Sequence, residues 1–235
     1  MAIRGVAPIG EVVRDLFWPR RCCGCGLRGV WLCDECRASL PIWTAPWCRR
    51  CGVPTSLPCH CGELDRAISA ARALGPHEGW LQRGVQLLKY RDELARAEQF
   101  GGPLSAAIAD LPAPDLIVPV PLHRRRELER GYNQARLIAE SMSQVAGVEV
   151  ASPNAVVRFV DTPHQTGLPA AQRRRNLDGA FTVADPGVIR GKRILIVDDV
   201  MTSGATLATL ARMLRGAGAE NVTAATISRT INISS

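Results

Sequence analysis

Two neighbouring acids, Asp198 and Asp199, follow an unbroken apolar run from Ile194 to Val197 that is typical of a strand buried on both faces. Small and hydroxylated residues come next and lead into a helical pattern from Leu207 to Leu214. These loop residues are Thr202, Ser203, Gly204, Ala205 and Thr206. Small side chains let the main chain approach a phosphate, and the helix dipole favours its charge. Because carboxylates repel phosphate, the acids suit hydroxyl groups beside it or a divalent cation. The segment therefore predicts a sugar-phosphate site.

The same segment has a simpler interpretation, an ordinary strand-to-helix turn with an aspartate as the helix N-cap. An N-cap needs one acid. The sequence has two acids and then five small or hydroxylated residues within one short stretch. The phosphate interpretation is therefore the better prediction.

All nine cysteines fall between residues 22 and 61, and their spacing repeats. A C-x-x-C-G turn is followed by a second pair seven residues later, and this happens twice. The predicted ligands are Cys22, Cys25, Cys33 and Cys36 in the first set and Cys48, Cys51, Cys59 and Cys61 in the second. Four thiolates complete a closed tetrahedral zinc site, which has a structural role. The spacing therefore predicts one or two structural zinc sites.

Several ligand assignments stay open. Cys23 is left over and is expected to be a packed thiol, His60 could replace Cys59 or Cys61, and the two sets could pair in an interleaved order. The odd cysteine count and the lack of a recognisable secretion signal favour metal over disulfides. We therefore expect a cytoplasmic protein.

The pattern predicts two domains: an N-terminal segment with a cysteine-rich double zinc ribbon over residues 1–64, and an α/β domain over residues 65–235. In the second domain, apolar runs alternate with helical patterns, which indicates a parallel sheet flanked by helices. Predicted strands cover residues 67–74, 116–120, 156–160, 179–183 and 221–228, and predicted helices cover 77–109, broken near Gly101, and 136–145. No apolar run is long enough to span a membrane.

Basic residues lie at two places where a ligand's phosphates could be bound. Arg124, Arg125 and Arg126 follow the strand at residues 116–120, at the edge where open α/β sheets bind ligands. Arg173, Arg174 and Arg175 lie in a long polar connection that could act as a lid. Solvated surface is the alternative for the first group. Lys89, in the long predicted helix, could reach an anion or lie on a solvated face. The formal charge of +7 weakly supports a nucleic-acid partner, and zinc thiolates would reduce it.

The segment VDDVMTSGAT resembles the phosphoribosyl pyrophosphate (PRPP) motif of type I phosphoribosyltransferases. The order of zinc knuckles, VPVPLH…RGYNQ, Q…RRRN…GAF and this motif resembles the ComF family, which is linked with natural competence, from about Trp18 to Arg229. Ser203 stands where the family usually has a second threonine, and Cys59-x-Cys61 is one residue shorter than C-x-x-C.

The resemblance implies a type I phosphoribosyltransferase fold with roles for named residues. Asp198 and Asp199 would hold the ribose hydroxyls and carry the catalytic role, and Thr202, Ser203, Gly204, Ala205 and Thr206 would hold the 5-phosphate. Val200 would also belong to the PRPP-binding residues. The two arginine groups would receive pyrophosphate, and Mg²⁺ would bridge pyrophosphate and ribose during glycosyl transfer at ribose C1.

The resemblance also implies a second function from a different class. A non-catalytic protein of the competence machinery would sense PRPP or a nucleotide and would bind single-stranded DNA or a competence helicase. A transcriptional regulator built on the same fold is a third reading, which the lack of a helix-turn-helix pattern disfavours.

Overall fold

The computed structural model describes residues 20–59, 61, 64–90, 96–160 and 179–231. The chain divides into two compact units, Met1–Leu40 and Pro41–Ser235. In the first unit, helix α1 (Asp34–Ala38) is N-capped by Cys33. A division after residue 64, which the cysteine pattern suggests, stays a prediction. Among the residues described, no helix has the length and apolar character that a membrane crossing requires.

The second unit contains a parallel sheet, as the sequence predicts, and in the described residues this sheet has four strands. Strands β1 (Ala70–Pro76), β2 (Leu116–Pro119), β5 (Arg193–Met201) and β6 (Asn221–Arg229) lie in the order β1-β6-β5-β2. A separate antiparallel pair joins β3 (Val156–Arg158) to β4 (Phe181–Val183). Strand β5 is hydrogen-bonded on both sides, so the residues at its carboxyl end lie in the middle of the sheet edge.

In the described part of the second unit, five helices accompany the sheet: α2 (Gly79–Tyr90), α3 (Arg96–Ala107), α4 (Arg124–Arg130), α5 (Gln134–Ala146) and α6 (Ala205–Gly216). Alternate residues of β5 enter two separate apolar cores, because successive side chains of a strand point to opposite faces. Ile194 and Ile196 pack in the core that contains α6. Leu195 and Val197 pack in the core that contains residues of α2, α3 and α5. Both faces of the sheet are therefore covered, as its apolar strand sequences require.

The predicted helix break near Gly101 is wrong. Helix α3 continues through Gly101 and Pro103. A Cβ added at Gly101 would lie only 2.1 Å from the Ser141 hydroxyl oxygen on α5. The glycine therefore permits close packing of two helices and does not end one. Residues 91–95, which separate α2 from α3 in the chain, lie outside the described part.

The second cysteine-rich segment packs on the β1 edge of the sheet. The Ala71 amide donates to the Arg50 carbonyl at 2.7 Å. The guanidinium of Arg72, which is only 2% exposed, donates to the Arg49 carbonyl at 3.0 Å and pairs with Asp110 at 2.5 Å. The buried Arg229, on β6, donates to the Cys51 carbonyl at 2.8 Å. This segment is therefore part of the sheet's own compact unit.

Candidate functional site

The two predicted acids lie within β5. The strand continues past Val197 to Met201, since residues 198, 200 and 201 pair with residues 226, 228 and 229 of β6. Asp198 and Asp199 are therefore fixed by sheet hydrogen bonding on the carboxyl side of a central strand. This is the edge at which open α/β sheets bind ligands.

The surroundings of the two acids differ. Asp198 is partly buried, and its Oδ1 accepts a hydrogen bond from the Asp199 amide at 2.9 Å. Burial and the neighbouring charge of Asp199 raise the pKa of Asp198 to about 7. Asp199 is only 4% exposed, and its Oδ2 lies 2.9 Å from the Lys89 Nζ. One acid therefore has a cationic partner at contact distance, and the other carries a proton more readily than an ordinary carboxyl group.

The predicted loop follows β5 directly and ends in a helix N-terminus. Thr202 is exposed, Ser203 is partly exposed, and α6 begins at Ala205. Gly204 has φ 69°, in the left-handed region that favours glycine, and it is the helix N-cap without a side-chain cap bond. The first amides of a helix have no acceptor within the helix. This arrangement suits an anion, which would accept from the amides and hydroxyl groups together.

The predicted pyrophosphate residues lie in a helix. Arg124, Arg125 and Arg126 form the first turn of α4, which is separated from the end of β2 by four residues and is capped by His123. Arg125 pairs with Glu129 at 2.8 Å on an exposed surface. Because β2 and β5 are parallel neighbours, α4 and the 202–206 loop both follow strands at one edge of the sheet. The other predicted group, Arg173, Arg174 and Arg175, lies outside the described residues.

A pocket of about 290 Å³ lies beside α4. Arg124, Arg136 and Arg158 contribute to its lining, with Glu127 and Asn133. Asp198, Asp199 and the 202–206 loop are not among its lining residues. The pocket is therefore a separate feature from the acid-and-loop site.

The first cysteine set forms a compact cluster. The sulfur atoms of Cys22, Cys25, Cys33 and Cys36 all lie within 4.8 Å of one another, and two of the separations are 3.7 Å. A tetrahedral site with Zn–S bonds of about 2.3 Å places its sulfurs about 3.8 Å apart. The geometry therefore fits zinc. Cys23 is buried and is not part of the cluster, as expected for a packed thiol.

The second set gives the same arrangement. The sulfurs of Cys48, Cys51, Cys59 and Cys61 lie within 4.8 Å of one another, with separations of 3.3 to 3.8 Å. Hydrogen bonding from the Cys51 amide lowers the pKa of Cys48 to about 6, whereas burial and neighbouring sulfurs raise that of Cys61 to about 12. Four crowded thiols thus resist joint deprotonation unless a cation binds them. The sulfurs group sequentially rather than in the interleaved order, and His60 lies outside the described residues.

Lys89 was predicted either to reach an anion or to lie on a solvated face. In the structure its side chain is 24% exposed and pairs with an anion, the Asp199 carboxylate, a partner that sequence reasoning did not identify. A helix pattern indicates which residues share a face but does not indicate a partner 110 positions away in the chain. The local sequence therefore held no signal for this contact.

Comparison with known proteins identifies both parts of the chain. A phosphoribosyl transferase domain model matches residues 133–231, and a double zinc ribbon domain model matches residues 13–65. The structure of glutamine PRPP amidotransferase from B. subtilis, complexed with ADP and GMP, aligns with a TM-score of 0.42 and 17% identity over 60% of this chain and 30% of that one.

Curated relatives match over most of their length. Competence protein F of Haemophilus influenzae is 30% identical, with 81% of this chain and 87% of the relative covered. DNA utilization protein YhgH of Escherichia coli K12 is 34% identical, with 86% and 92% covered. Competence protein ComFC of Bacillus subtilis is 26% identical, with 78% and 77% covered. With its double zinc ribbon and phosphoribosyl transferase domain, the chain belongs to the ComF family, which includes competence protein F, ComFC and YhgH.

Proposed function

We propose that this protein binds PRPP together with Mg²⁺ and transfers the phosphoribosyl group to an acceptor at ribose C1. The observation that carries the proposal is the continuity of the site along the chain. Two acids at the end of a central strand lead through a left-handed glycine into a helix N-terminus with accessible hydroxyl groups. Acceptors suited to hydroxyl groups and donors suited to a phosphate thus follow each other along the chain, which supports a sugar phosphate as the ligand.

The acids and the loop would bind different parts of PRPP. Asp198 and Asp199 would accept hydrogen bonds from the ribose hydroxyls, while Thr202, Ser203 and the amides from Gly204 to Thr206 would donate to the 5-phosphate. The C1–O bond breaks with its electron pair passing to pyrophosphate, and the acceptor forms the new bond to C1. The Asp198 carboxylate would stabilise the positive charge that develops on the ribose.

The acid pair also fits a site that works with Mg²⁺, since oxygen atoms of carboxylates and phosphates are the ligands that this ion prefers. When bound with PRPP, Mg²⁺ would supply charge neutralisation for the leaving pyrophosphate. Arg124, Arg125 and Arg126 are the described cationic residues proposed to support the same group.

Pyrophosphate release from PRPP tests the transferase activity. The wild type is incubated with PRPP, Mg²⁺ and a panel of purine and pyrimidine bases, beside Asp198→Asn/Asp199→Asn. We expect release that depends on one class of base in the wild type and none in the double variant. Binding of PRPP without release for any base would contradict transferase activity and leave a PRPP sensor.

Binding of single-stranded DNA is the second candidate function, and two observations favour it. Relatives carry the names DNA utilization protein and competence protein, and the side chains of Arg124 and Arg125 are exposed at the start of α4. A partner such as a helicase belongs to the same candidate.

Fluorescence anisotropy with labelled oligonucleotides at several salt concentrations tests DNA binding. Each lost phosphate contact should reduce the slope of log K against log salt by about 0.7. Arg124→Ala/Arg125→Ala should flatten this slope, and Arg83→Ala, at an exposed position on α2, should leave it unchanged. Unchanged binding in the double variant would exclude this surface.

A further inference from the structure

The ion pair between Lys89 and Asp199 joins a helix to the strand that carries the acids. Lys89 lies in the last turn of α2, and its Nζ is 2.9 Å from the Asp199 Oδ2. The two side chains are 24% and 5% exposed, respectively. The contact is therefore shielded from water, where a charge–charge interaction is stronger than on an exposed surface.

The end of α2 is fixed in place. The side chains of Leu81, Val85 and Leu88 are fully buried in one core. The hydroxyl group of Tyr132 donates to the carbonyl of Leu88, the residue next to Lys89. The ammonium group is thus held at the acid site by a helix whose residues directly before Lys89 are anchored in the core.

The other titratable or charged groups near the pair, His77 and Arg158, do not provide a second cation in contact with Asp199. The Nδ1 of His77 lies 2.8 Å from the Ser228 hydroxyl oxygen, and burial, followed by the charge of Lys89, lowers the pKa of His77. His77 is therefore neutral at neutral pH. Arg158 acts electrostatically on Asp198 and lies over the Phe181 ring at 5.6 Å. Among these groups, Lys89 is the cation in direct contact with Asp199.

We propose that Lys89 is a positioning residue of the phosphoribosyl site, which holds the Asp199 carboxylate and cancels its charge so that a polyanionic ligand can bind beside it. The proposal rests on the proposed function. Without a counter-ion, two adjacent carboxylates would present two negative charges to a ligand that itself carries several, and like charges at short range in a partly buried site repel each other. With Lys89 in place, Asp198 supplies the uncompensated charge of the pair.

This role differs from direct contact between Lys89 and a phosphate. If Lys89 acts through Asp199, its removal is harmful because a carboxylate is left without its partner, and neutralising that carboxylate should restore binding. If Lys89 contacts the ligand, neutralising Asp199 restores nothing. Asparagine keeps an oxygen that can accept from a ribose hydroxyl, so Asp199→Asn removes the charge while keeping an acceptor.

The experiment measures the affinity for PRPP with Mg²⁺ by isothermal titration calorimetry. It compares the wild type with Lys89→Met, Lys89→Met/Asp199→Asn and Lys192→Met, a change of the other lysine, which precedes β5 at the opposite edge of the sheet. Circular dichroism establishes that each variant is folded. We expect Lys89→Met to bind about ten-fold more weakly, Lys192→Met to match the wild type, and the double variant to bind at least about three-fold more tightly than Lys89→Met.

Unchanged affinity in Lys89→Met would overturn the proposal, and so would a double variant that binds no more tightly than Lys89→Met. If Lys89→Met does not fold, the double variant is compared with Asp199→Asn: affinities within about three-fold support action through Asp199, and a further ten-fold loss overturns it. A wild type that does not bind PRPP contradicts the proposed function itself, a result distinct from all of these.

Discussion

The two cysteine clusters share nearly the same spacing, but they belong to different parts of the fold. The first lies in the unit that ends at Leu40, where α1 has no buried residue. The second lies in the unit of the parallel sheet, and its main-chain carbonyls accept hydrogen bonds from buried arginines of two strands, Arg72 and Arg229. One of two similar cysteine motifs is therefore part of the unit that contains the proposed phosphate site, and the other belongs to a separate unit.

Because the clusters lie in different units, each metal site should stabilise a different part of the protein. A closed zinc site contributes its binding free energy to whatever folds together with it. Loss of metal from the second cluster should therefore destabilise the sheet. Loss of metal from the first should affect the first unit alone, since compact units can open independently.

Removal of one ligand from each cluster should show the largest contrast. We expect Cys51→Ser to destabilise the sheet unit by about 3 kcal/mol or more, which lowers its melting temperature by roughly 6 °C or more. Cys25→Ser should release one zinc ion and leave that transition within about 1 °C. Differential scanning calorimetry with a colorimetric zinc assay measures both effects. Equal shifts from the two variants would contradict the distinction.

The glycines of the two C-x-x-C-G turns form a matched pair. Gly26 and Gly52 have φ of 80° and 71°, so an alanine at either position costs about 1 kcal/mol in backbone conformation. A Cβ at Gly26 would meet no atom within 4 Å, whereas at Gly52 it would lie 2.5 Å from the Ala71 carbonyl oxygen. Gly52→Ala should therefore cost roughly 2 kcal/mol more than Gly26→Ala. Urea unfolding of both variants would show the contrast, and similar midpoints would refute it.

The Arg72–Asp110 pair should make a smaller contribution, because it holds the arginine that donates to the Arg49 carbonyl of the second cysteine-rich segment. Asp110→Ala leaves the buried Arg72 guanidinium without its carboxylate, and we expect a loss of about 2 kcal/mol at pH 7. Asp115→Ala breaks the Arg193 pair, whose side chains are 38% and 40% exposed, and should cost less than about 1 kcal/mol.

The Asp110 effect should depend on pH with a definite sign. Hydrogen bonds from Arg72 lower the pKa of Asp110, so the stabilisation is present above the unfolded pKa of about 3.9 and is lost as pH falls through the lower folded pKa. The difference between wild type and Asp110→Ala should therefore shrink in acid. A difference that grows below pH 4 would contradict this assignment.

The charge of Asp198 should affect stability in the opposite direction to that of Asp110, since its ionisation lowers the stability of the folded protein. Because the folded pKa of Asp198 is about 7, above its unfolded value, ionisation of this group lowers stability as pH rises towards 7, and the loss is complete above it. Asp198→Asn without ligand should therefore melt a few degrees higher than the wild type at pH 8 and show a smaller gain at pH 5. A lower melting temperature at pH 8 would show that Asp198 supports the fold.

Features that depend on neighbouring residues in the chain could be predicted from the sequence. The eight clustered cysteines come from two short segments, and the strand, acids, loop and helix of the proposed phosphate site are continuous from residue 193 to 216. The alternation of apolar runs and helical patterns was sufficient for the α/β class. Each of these signals is contained in its own segment.

Features set by distant contacts could not be predicted. Gly101 suggested a helix end, because the sequence does not indicate that this glycine packs against Ser141 of another helix. The pairing of Lys89 with Asp199 and the burial of Arg72 and Arg229 depend on how the sheet is assembled. The helix Arg124–Arg130 was not predicted; its N-cap is His123, and histidine is not a typical N-cap residue.

The central claim is that the acids and the loop after β5 form a site for PRPP with Mg²⁺, and a thermal shift tests it most directly. Ligand at about 100 times its dissociation constant should add about 2.7 kcal/mol, or roughly 5 °C or more. We predict a magnesium-dependent rise in the wild type and in Asp115→Ala, and none in Asp198→Asn/Asp199→Asn. No rise in folded, zinc-loaded wild type, or an equal rise in the double variant, would contradict the claim.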